Sequence, residues 1–498
     1  MEDFVGMHRT HYSPTAHEAA VVTGRVCEMD DALTAPRDRT QTKAQRAHLH
    51  RQLALGKALL APWRRLPPEL WSEIFYLALP GAWAITPIDC RRLYLMETCR
   101  VWRTLALNTP RLWTSIAIRI EYDEQPGRGL LPTLQAYLQR SGSRPLSVQV
   151  AGLSAEPAYL DTSDSKLAWA RLCEEAGRWE TAYLEDLPTS CFKKISGRAF
   201  PILRALHLDC EHDQDYTVNQ FQSYLNAFVA APALTVLTSG KSWAPLDLVL
   251  PASWHLTTLS LQMEHPEILH AAYAPLKEPA FSAVLACSQT LQRCHINSEY
   301  TREAVAGRQR VDFPVLQELV LEDGGVLLMT LIRAPNLRSI ALCEEQKLII
   351  DSDLCALDYL NTLLENSSGC PSLQALKLSD VFAYTAVPTL RRLPQLSQFV
   401  VTETYELHFR ESVPFYNLIR ALERDRSKPD SLSLLPNLKR LAVRFGRERD
   451  AELDNLVERV IASRSTPCTL DGKELACFDS PNAGAAHDMH WFPSSSPS

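Results

Sequence analysis

The sequence has no long apolar stretch, no excess of basic residues and no regular spacing of cysteines. Its apolar runs are short, as in "VLLM" (326–329), whereas a membrane-spanning helix needs about 18 residues. The opening "MEDFVGMHRT" lacks a basic segment followed by an apolar one, so we expect no signal peptide and a location in the cytoplasm, the nucleus or both. The 13 cysteines are then reduced thiols. Because the net charge is −7, we expect no nucleic acid as a partner, and because the apolar runs are short, we expect no membrane.

Sequence motifs of the common enzyme classes are also missing. There is no G-x-S-x-G or G-x-G-x-x-G, and "ALGKALL" (54–60) lacks the glycine and hydroxyl residue of a phosphate loop. "HLDCEH" places His207, Cys210 and His212 close together, but no second Cys/His pair completes a zinc site nearby. His207 alternates with two leucines, so we expect it on the opposite face of a strand. We therefore expect no catalysis, cofactor or metal, with a hydrolase inside the repeat region as a remote alternative.

One nine-residue motif with three apolar sites recurs through the chain after residue 199. Six clear copies are "FPILRALHL" (200–208), "FPVLQELVL" (313–321), "APNLRSIAL" (334–342), "CPSLQALKL" (370–378), "LPQLSQFVV" (393–401) and "LPNLKRLAV" (435–443). Three weaker copies are "APALTVLTS" (231–239), "SWHLTTLSL" (253–261) and "SQTLQRCHI" (288–296). The first apolar site is leucine in every copy: Leu203, Leu234, Leu256, Leu291, Leu316, Leu337, Leu373, Leu396 and Leu438. Seven copies place proline two residues before that leucine.

This motif predicts a turn followed by a short strand. The last two apolar sites are two residues apart and therefore share one strand face. The proline favours an extended entry and discourages a helix from running into the strand. A single short strand cannot bury its own face, so the copies must stack, as leucine-rich repeats do. The copies are spaced by about 21 to about 42 residues and lack the expected asparagine after the strand, so we expect an irregular array.

Residues 66 to 113 predict two amphipathic helices. Pro67 and Pro68 fit a first helical turn. The first helix carries two apolar stripes, which are Leu66, Leu70, Ile74 and Leu77, and Trp71, Phe75 and Ala78. About 50 residues cannot bury both stripes, so one serves the local core and the other needs a partner. The alternative is a hairpin that folds back on the first repeats.

"LPPELWSEIF" (66–75) followed by "CRVWRTLALNTPRLW" (99–113) resembles an F-box. The flanking "LLAPWRRLPPEL" and "LWTSIAI" are similar to the F-box proteins abundant in mushroom-forming fungi. The resemblance implies helices that pack on a Skp1-type adaptor, which connects them to a cullin–RING ubiquitin ligase. It also implies repeats that capture an unknown protein substrate. Carried over by position, the implied Skp1-binding residues are Leu66, Pro67, Glu69, Leu70, Ile74, Leu77 and Trp102.

Acidic residues follow several of the predicted strands. If the strands stack in register, these side chains line one rim of the sheet and could attract a basic substrate segment. Ordinary solvated loop chemistry is the alternative. The candidate substrate-binding residues are Glu322, Asp323, Glu344, Glu345, Asp380 and Glu403.

The expected fold class is α/β: a short all-α F-box hairpin, then an irregular leucine-rich-repeat solenoid with parallel strands inside and helices outside. We expect a disordered tail over 1–40, an amphipathic helix over 41–62 and an F-box over 63–113. The repeat region covers 114–464, and a loose Ser/Pro-containing tail covers 465–498. The expected function is that of a non-catalytic substrate receptor of a Skp1–cullin–F-box ligase. The alternative is a leucine-rich-repeat interaction scaffold without a ligase role.

Overall fold

The computed structural model describes most of the chain, with gaps in several loops and at both ends. The described residues are 14–35, 42–78, 94–120, 130–152, 163–187, 189–209, 218–239, 248–262, 281–298, 305–344, 355–381, 386–403, 413–445 and 451–478. The chain divides into two compact units. The first comprises mainly Met1–Gln149 with Leu160–Leu172, and the second comprises Val150–Tyr159 with Cys173–Ser496.

Helices dominate the described part of the first unit. Its elements are α1 (Ala16–Thr34), α2 (Lys43–Leu60), α3 (Pro68–Ala78), α4 (Tyr94–Thr98), α5 (Arg100–Leu107), β1 (Ser115–Ile120) and α6 (Leu130–Ser141), with 3₁₀ turns at Pro62–Arg65 and Pro110–Trp113. Strand β2 (Leu146–Gly152) and helix α7 (Ser163–Glu174) each continue into the residues of the second unit.

Helix α1 lies where the sequence predicts a disordered tail, so that prediction is wrong for Ala16–Thr34. Two features explain the helix. Thr15 and Glu18 form a reciprocal capping box at its start. Apolar side chains of α1 and α2 then form a small shared core, made of Val22, Val26, Leu33, Leu53 and Leu59. Val22 and Val26, four residues apart, give α1 a short apolar face, which is buried by its pairing with α2.

The second unit is built on strands. Its strands are β3 (Trp179–Glu185), β4 (Ala205–Asp209), β5 (Val236–Ser239), β6 (Thr258–Leu261), β7 (Arg293–Ser298), β8 (Val311–Asp312), β9 (Glu318–Asp323), β10 (Ile332–Arg333), β11 (Ser339–Cys343), β12 (Ala375–Ser379), β13 (Gln398–Glu403), β14 (Arg440–Phe445), β15 (Thr469–Leu470) and β16 (Lys473–Glu474). Its helices are α8 (Thr189–Ile195), α9 (Val218–Asn226), α10 (Ser282–Ala286), α11 (Ala356–Asn366), α12 (Ala386–Arg391), α13 (Val413–Ala421), α14 (Pro429–Ser433) and α15 (Ala451–Ser465), with 3₁₀ turns at Ala176–Arg178 and Gly324–Thr330.

Twelve strands form one long sheet in the order β1-β2-β3-β4-β5-β6-β7-β9-β11-β12-β13-β14. The pairings described from β3 to β14 are all parallel. All nine copies of the motif end in a strand of this sheet, so the strand prediction is confirmed. The fold is mixed α/β, with helices between many of the strands.

The nine aligned leucines form a continuous buried row. Each is at most 1% exposed: Leu203, Leu234, Leu256, Leu291, Leu316, Leu337, Leu373, Leu396 and Leu438. The second apolar site is buried in every copy as well, with Cys294 and Phe399 replacing aliphatic residues in two of them. The core of the second unit therefore lies on one face of the sheet, and the motif defines that face.

Proline has a more specific role than the extended entry that the sequence predicts. In the seven copies with proline, the N–H of the first leucine donates to the carbonyl oxygen three residues earlier, at 3.0–3.4 Å. Proline is therefore the second residue of a hydrogen-bonded turn, where its fixed φ is favourable. The turn brings each copy into the sheet at the same level.

Backbone hydrogen bonds also connect neighbouring copies just before their strands begin. In all nine copies, the residue after the first leucine donates its N–H to a carbonyl oxygen of the neighbouring strand segment, at 2.8–2.9 Å. The acceptor is the residue at the same position of the preceding copy, or Glu180 of β3 for the first copy. Side-chain amides add to this ladder one residue before the leucine. Asn336 Nδ2 donates to Pro314 O at 2.7 Å, and Asn437 Nδ2 donates to Pro394 O at 2.9 Å. These amides satisfy carbonyls at turns that would otherwise depend on water.

The segment after α15 is tied to the second unit, so the prediction of a loose tail is wrong for 466–478. Strands β15 and β16 form a small hairpin. Ala476 N donates to Pro436 O at 2.9 Å, and the side chains of Leu475 and Phe478 are buried. Arg424, itself buried, donates to Ala476 O at 2.9 Å. Residues 479–498 lie outside the described part of the chain.

We predict that Leu337→Ala lowers the free energy of unfolding by about 2–5 kcal/mol, because it leaves a cavity in the leucine row. The matched control is Val315→Ala, which truncates a side chain that is 36% exposed and is expected to change stability by about 0.5 kcal/mol or less. Urea unfolding of both variants measures the difference. Equal effects would contradict the assignment of the row as the core.

Candidate functional site

Helix α3 turns one of its two apolar stripes inward. Trp71 is 5% exposed and Phe75 is fully buried. Both rings contact Trp102 of α5, at centroid distances of 4.9 Å and 5.1 Å. Tilted and edge-on contacts of this kind are favourable for aromatic rings. This cluster is the local core that fixes α3 against α5.

The other stripe of α3 stays at the surface. Leu70, Ile74 and Leu77 are 50%, 42% and 77% exposed. Their spacing of four and three residues places them on one helix face. A contiguous row of large exposed aliphatic side chains is unusual for surfaces that meet only water. We call these three residues the α3 apolar face.

Polar contacts hold α3 against the segment that follows α5. Ser72 Oγ lies 3.0 Å from Thr109 Oγ1. Arg111 Nη1 donates to Glu73 Oε1 at 2.7 Å, and the Arg111 guanidinium lies 3.5 Å from the centre of the Tyr76 ring. The α3 apolar face is therefore presented by a helix whose other sides are already in contact with the protein.

The remaining residues implied by the F-box resemblance lie at different depths. Pro67 and Glu69 are exposed in the first turn, and Leu66 is half-buried just before it. Trp102 is half-buried within the aromatic cluster, so its ring contacts Trp71 and Phe75 and is not part of the exposed stripe. Cys99 separates α4 from α5 and accepts from Trp102 N at its Sγ. The segment "TPID" (86–89), which is typical of a helix start, lies outside the described residues.

A second candidate surface is the sheet face opposite to the leucine row. In-register pairing puts five side chains side by side on neighbouring strands: Tyr183, His207, Thr238, Ser260 and His295. His207 stands between the fully buried Leu208 and the 1% exposed Leu206, and therefore points away from the leucine row, as the alternation predicts. We call these five residues the polar row.

Neighbouring members of the polar row contact one another. The Tyr183 and His207 rings are stacked, with centroids 4.0 Å apart and planes 6° from parallel. His207 Nδ1 lies 2.6 Å from Thr238 Oγ1, and Ser260 Oγ lies 3.2 Å from His295 Nδ1. His295 Nε2 is 3.2 Å from Glu322 Oε1. The row thus contains two connected groups of side chains, Tyr183–His207–Thr238 and Ser260–His295, and the second group ends on the Glu322 carboxylate.

The surroundings shift the pKa values of His207, within the polar row, and of Glu322, which contacts its end. Burial lowers the pKa of His207 to about 4, so its ring is neutral near pH 7. For Glu322, burial opposes ionisation, but the hydrogen bond from His295 and the charges of His295 and Lys377 outweigh it, so the pKa falls below its ordinary value. Asn297 Nδ2 also donates to Glu322 at 3.1 Å.

Several of the predicted rim acids have internal partners. Glu322 contacts His295 and Asn297, and Glu344 Oε1 accepts from Ala356 N at 2.8 Å, at the start of α11. Asp323 is 7% exposed, and both Asp323 and Asp380 have positive φ angles, of 49° and 55°. Aspartate tolerates such a backbone better than most residues do. Glu345 and the side chain of Glu403 lie outside the description.

The helical spacing of residues 66–78 predicts the α3 apolar face, whereas the polar row was not predicted. Each row residue occupies the single position between the last two apolar sites of a strand. In the four successive copies that end at residues 208, 239, 261 and 296, this position holds His, Thr, Ser and His. Aligning the copies would therefore have revealed the run of polar residues. In the described ranges, no three His, Cys, Asp or Glu side chains are grouped to hold a metal ion. None of the helices in these ranges is long and apolar enough to cross a membrane.

We predict that stability falls as the pH drops from 6.5 towards about 4, because the unfolded chain then binds a proton that folded His207 does not. The difference between the folded and unfolded pKa values of His207 corresponds to about 3 kcal/mol of the free energy of unfolding, and this contribution is fully present above pH 6.5. His207→Gln should flatten this part of the profile, while His255→Gln, at an exposed site, should not. Urea unfolding between pH 4 and 8 measures both. Superimposable profiles for wild type and His207→Gln would contradict the prediction.

Comparison with known proteins does not identify a family for this chain. No protein-family model matches the sequence, and no curated protein is significantly similar to it.

Proposed function

We propose that the protein is the substrate receptor of a Skp1–cullin–F-box ubiquitin ligase. In this proposal the first unit contains the F-box, and the second is an irregular leucine-rich-repeat solenoid that binds the substrate. The protein contributes no catalytic group of its own. It increases the rate of ubiquitin transfer by holding the substrate near the ligase, which supplies the chemistry. Its place of action is the cytoplasm, the nucleus or both.

The observation that carries the proposal is the α3 apolar face. Leu70, Ile74 and Leu77 are exposed although the neighbouring stripe of the same helix is buried. An amphipathic helix with one exposed apolar face suits the helix-in-groove mode of protein binding. Burying each aliphatic side chain would contribute about 1.5–3 kcal/mol, less the cost of association. A Skp1-type adaptor is the partner that the F-box resemblance of residues 66–113 implies.

The rigidity around α3 supports the same proposal. The Trp71, Phe75 and Trp102 rings and the Glu73–Arg111 ion pair fix the helix before any partner arrives. A partner then binds a preformed surface and loses less conformational entropy on association. A rigid, preformed surface of this kind favours α3 as a docking site for another protein.

We predict that Leu70→Ala/Ile74→Ala weakens binding to a purified Skp1-type adaptor by at least about ten-fold, since large apolar anchors dominate such interfaces. The matched control is Val229→Ala/Val249→Ala, which truncates two aliphatic side chains that are 54% and 72% exposed in the second unit. Calorimetric titration of the full-length chain measures both affinities. Equal affinities for the two variants would contradict the proposal. If the wild type does not bind the adaptor, the interaction scaffold without a ligase role becomes the better account.

A further inference from the structure

The line of positions that holds the polar row changes character beyond β7. In-register pairing continues it over β9, β11, β12, β13 and β14 through Val320, Ala341, Lys377, Val400 and Ala442. All of these side chains except that of Lys377 are apolar. This part of the sheet face is therefore an apolar strip with one cation in it.

The alternation of β12 fixes the direction of Lys377. Its neighbours along the strand, Leu376 and Leu378, are buried on the face of the leucine row. Lys377 therefore points away from that row. The residue is half-buried, so part of it is accessible to solvent. A lysine in such a setting lays its alkyl stem along the apolar surface and keeps its ammonium group on the water side.

No charged residue occupies a neighbouring outward position on β11, β12 or β13. Ala341 and Val400 flank Lys377 in register, and Ala375 and Ser379 precede and follow it on the same face of β12. The diagonal positions hold serine and cysteine on β11, and glutamine and threonine on β13. The positive charge of Lys377 thus stands alone on this area of the sheet.

Glu322 is the acid that the charge of Lys377 reaches, but the two side chains do not form an ion pair. The charge of Lys377 contributes to lowering the pKa of Glu322. The Glu322 carboxylate is instead in contact with His295 and Asn297, at 3.2 Å and 3.1 Å. Strand β11 lies between β9 and β12, which separates the two backbones by about 10 Å. Across the ranges that the structure describes, no hydrogen bond or ion pair engages the Lys377 ammonium.

We propose that Lys377 binds the carboxylate of an aspartate or glutamate side chain in a segment of the substrate. The proposal rests on the proposed receptor function and names the class of substrate segment that the receptor would take. The ammonium group donates to the carboxylate, and a basic segment is repelled by the same charge. A segment that covered Lys377 without an acid would bury an ammonium group that has no counter-ion, which is costly.

The site suits a carboxylate better than a phosphate group. Proteins usually surround a phosphorylated residue with several cations or place it at a helix N-terminus, because it carries nearly two negative charges. Lys377 is the only basic residue at the outward positions of β11, β12 and β13, and its ammonium group is a single point charge. One lysine among uncharged neighbours therefore matches one negative charge.

The test uses the full-length chain and a library of nonapeptides displayed on phage in many copies, so that weak contacts are detected through multivalency. The central residue is any standard amino acid, and the other positions are random uncharged residues. Sequencing after selection gives the enrichment at the central position. For the wild type, we expect Asp and Glu to be enriched about five-fold over Asn and Gln. No enrichment, or no preference for acids over amides, overturns the proposal.

Variants of Lys377 locate the preference. Lys377→Met retains most of the apolar stem without the charge and should abolish the enrichment of acids. Lys377→Arg keeps the charge and should retain the enrichment, whereas Lys377→Glu should favour Lys and Arg instead. The matched control is Lys193→Glu, at an exposed position of α8, which changes the net charge as much as Lys377→Glu and should leave the selection unchanged.

Two results with these variants contradict the proposal. Enrichment of acids that survives in Lys377→Met shows that another group is responsible. Equal shifts in Lys377→Glu and Lys193→Glu show non-specific attraction. Thermal unfolding verifies that each variant is folded.

Synthetic peptides distinguish the carboxylate from a phosphate group. The most enriched peptide is labelled with fluorescein and made with glutamate, glutamine or phosphoserine at the central position, and fluorescence polarisation gives the affinities. We expect the glutamate peptide to bind most tightly. Tighter binding of the phosphoserine peptide overturns the assignment of a carboxylate site, and equal binding of the glutamine peptide overturns the role of the charge.

Failure here and failure of the receptor proposal are distinguishable on the same samples. Adaptor affinity depends on α3, whereas peptide selection depends on β12. A chain that binds the adaptor but shows no preference for acids leaves the receptor proposal standing and removes this one. A chain that selects acidic peptides but does not bind the adaptor has the carboxylate site in a protein of another role.

Discussion

The burial of one leucine per copy is the interaction on which the second unit depends. Each of the nine first-site leucines is closed off from water, and seven of them donate the hydrogen bond of the turn that precedes their strand. The backbone ladder beside these leucines sets the register, so the side chains between the apolar sites also align across strands. The polar row exists because of that register. A strand that slipped by one residue would exchange His207 with a leucine and bury the wrong face.

The first unit shows a different use of apolar surface. Helix α3 has two apolar stripes, and only the one containing Trp71 and Phe75 is needed for its own core. The aromatic cluster and the Arg111 contacts leave Leu70, Ile74 and Leu77 facing outward. Exposed aliphatic rows reduce solubility, so a helix that retains one gains something from a partner. In the proposed receptor, the adaptor would cover this surface.

Much of this arrangement could be predicted from the sequence, because the relevant signals are local. The leucine spacing identified all nine strands, and helical spacing separated the two stripes of α3. Helix α1 was missed, because only Val22, Val26 and Leu33 of this helix are buried and they are buried by pairing with α2. The contacts that Glu322 and Glu344 make inside the protein were also missed, because they too depend on residues distant in the sequence. The contact of Glu344 with the start of α11 and that of Glu322 with His295 join residues from different strands and helices. Such contacts follow from the fold and not from spacing along the chain.

The central claim is that the α3 apolar face is a docking surface. Hydrogen–deuterium exchange of the full-length chain, with and without a Skp1-type adaptor, tests it most directly. The account predicts slower exchange of backbone amides over residues 66–78 in the presence of the adaptor, and little change over the strands of the second unit. Unchanged exchange in α3, or protection confined to the sheet, would contradict it.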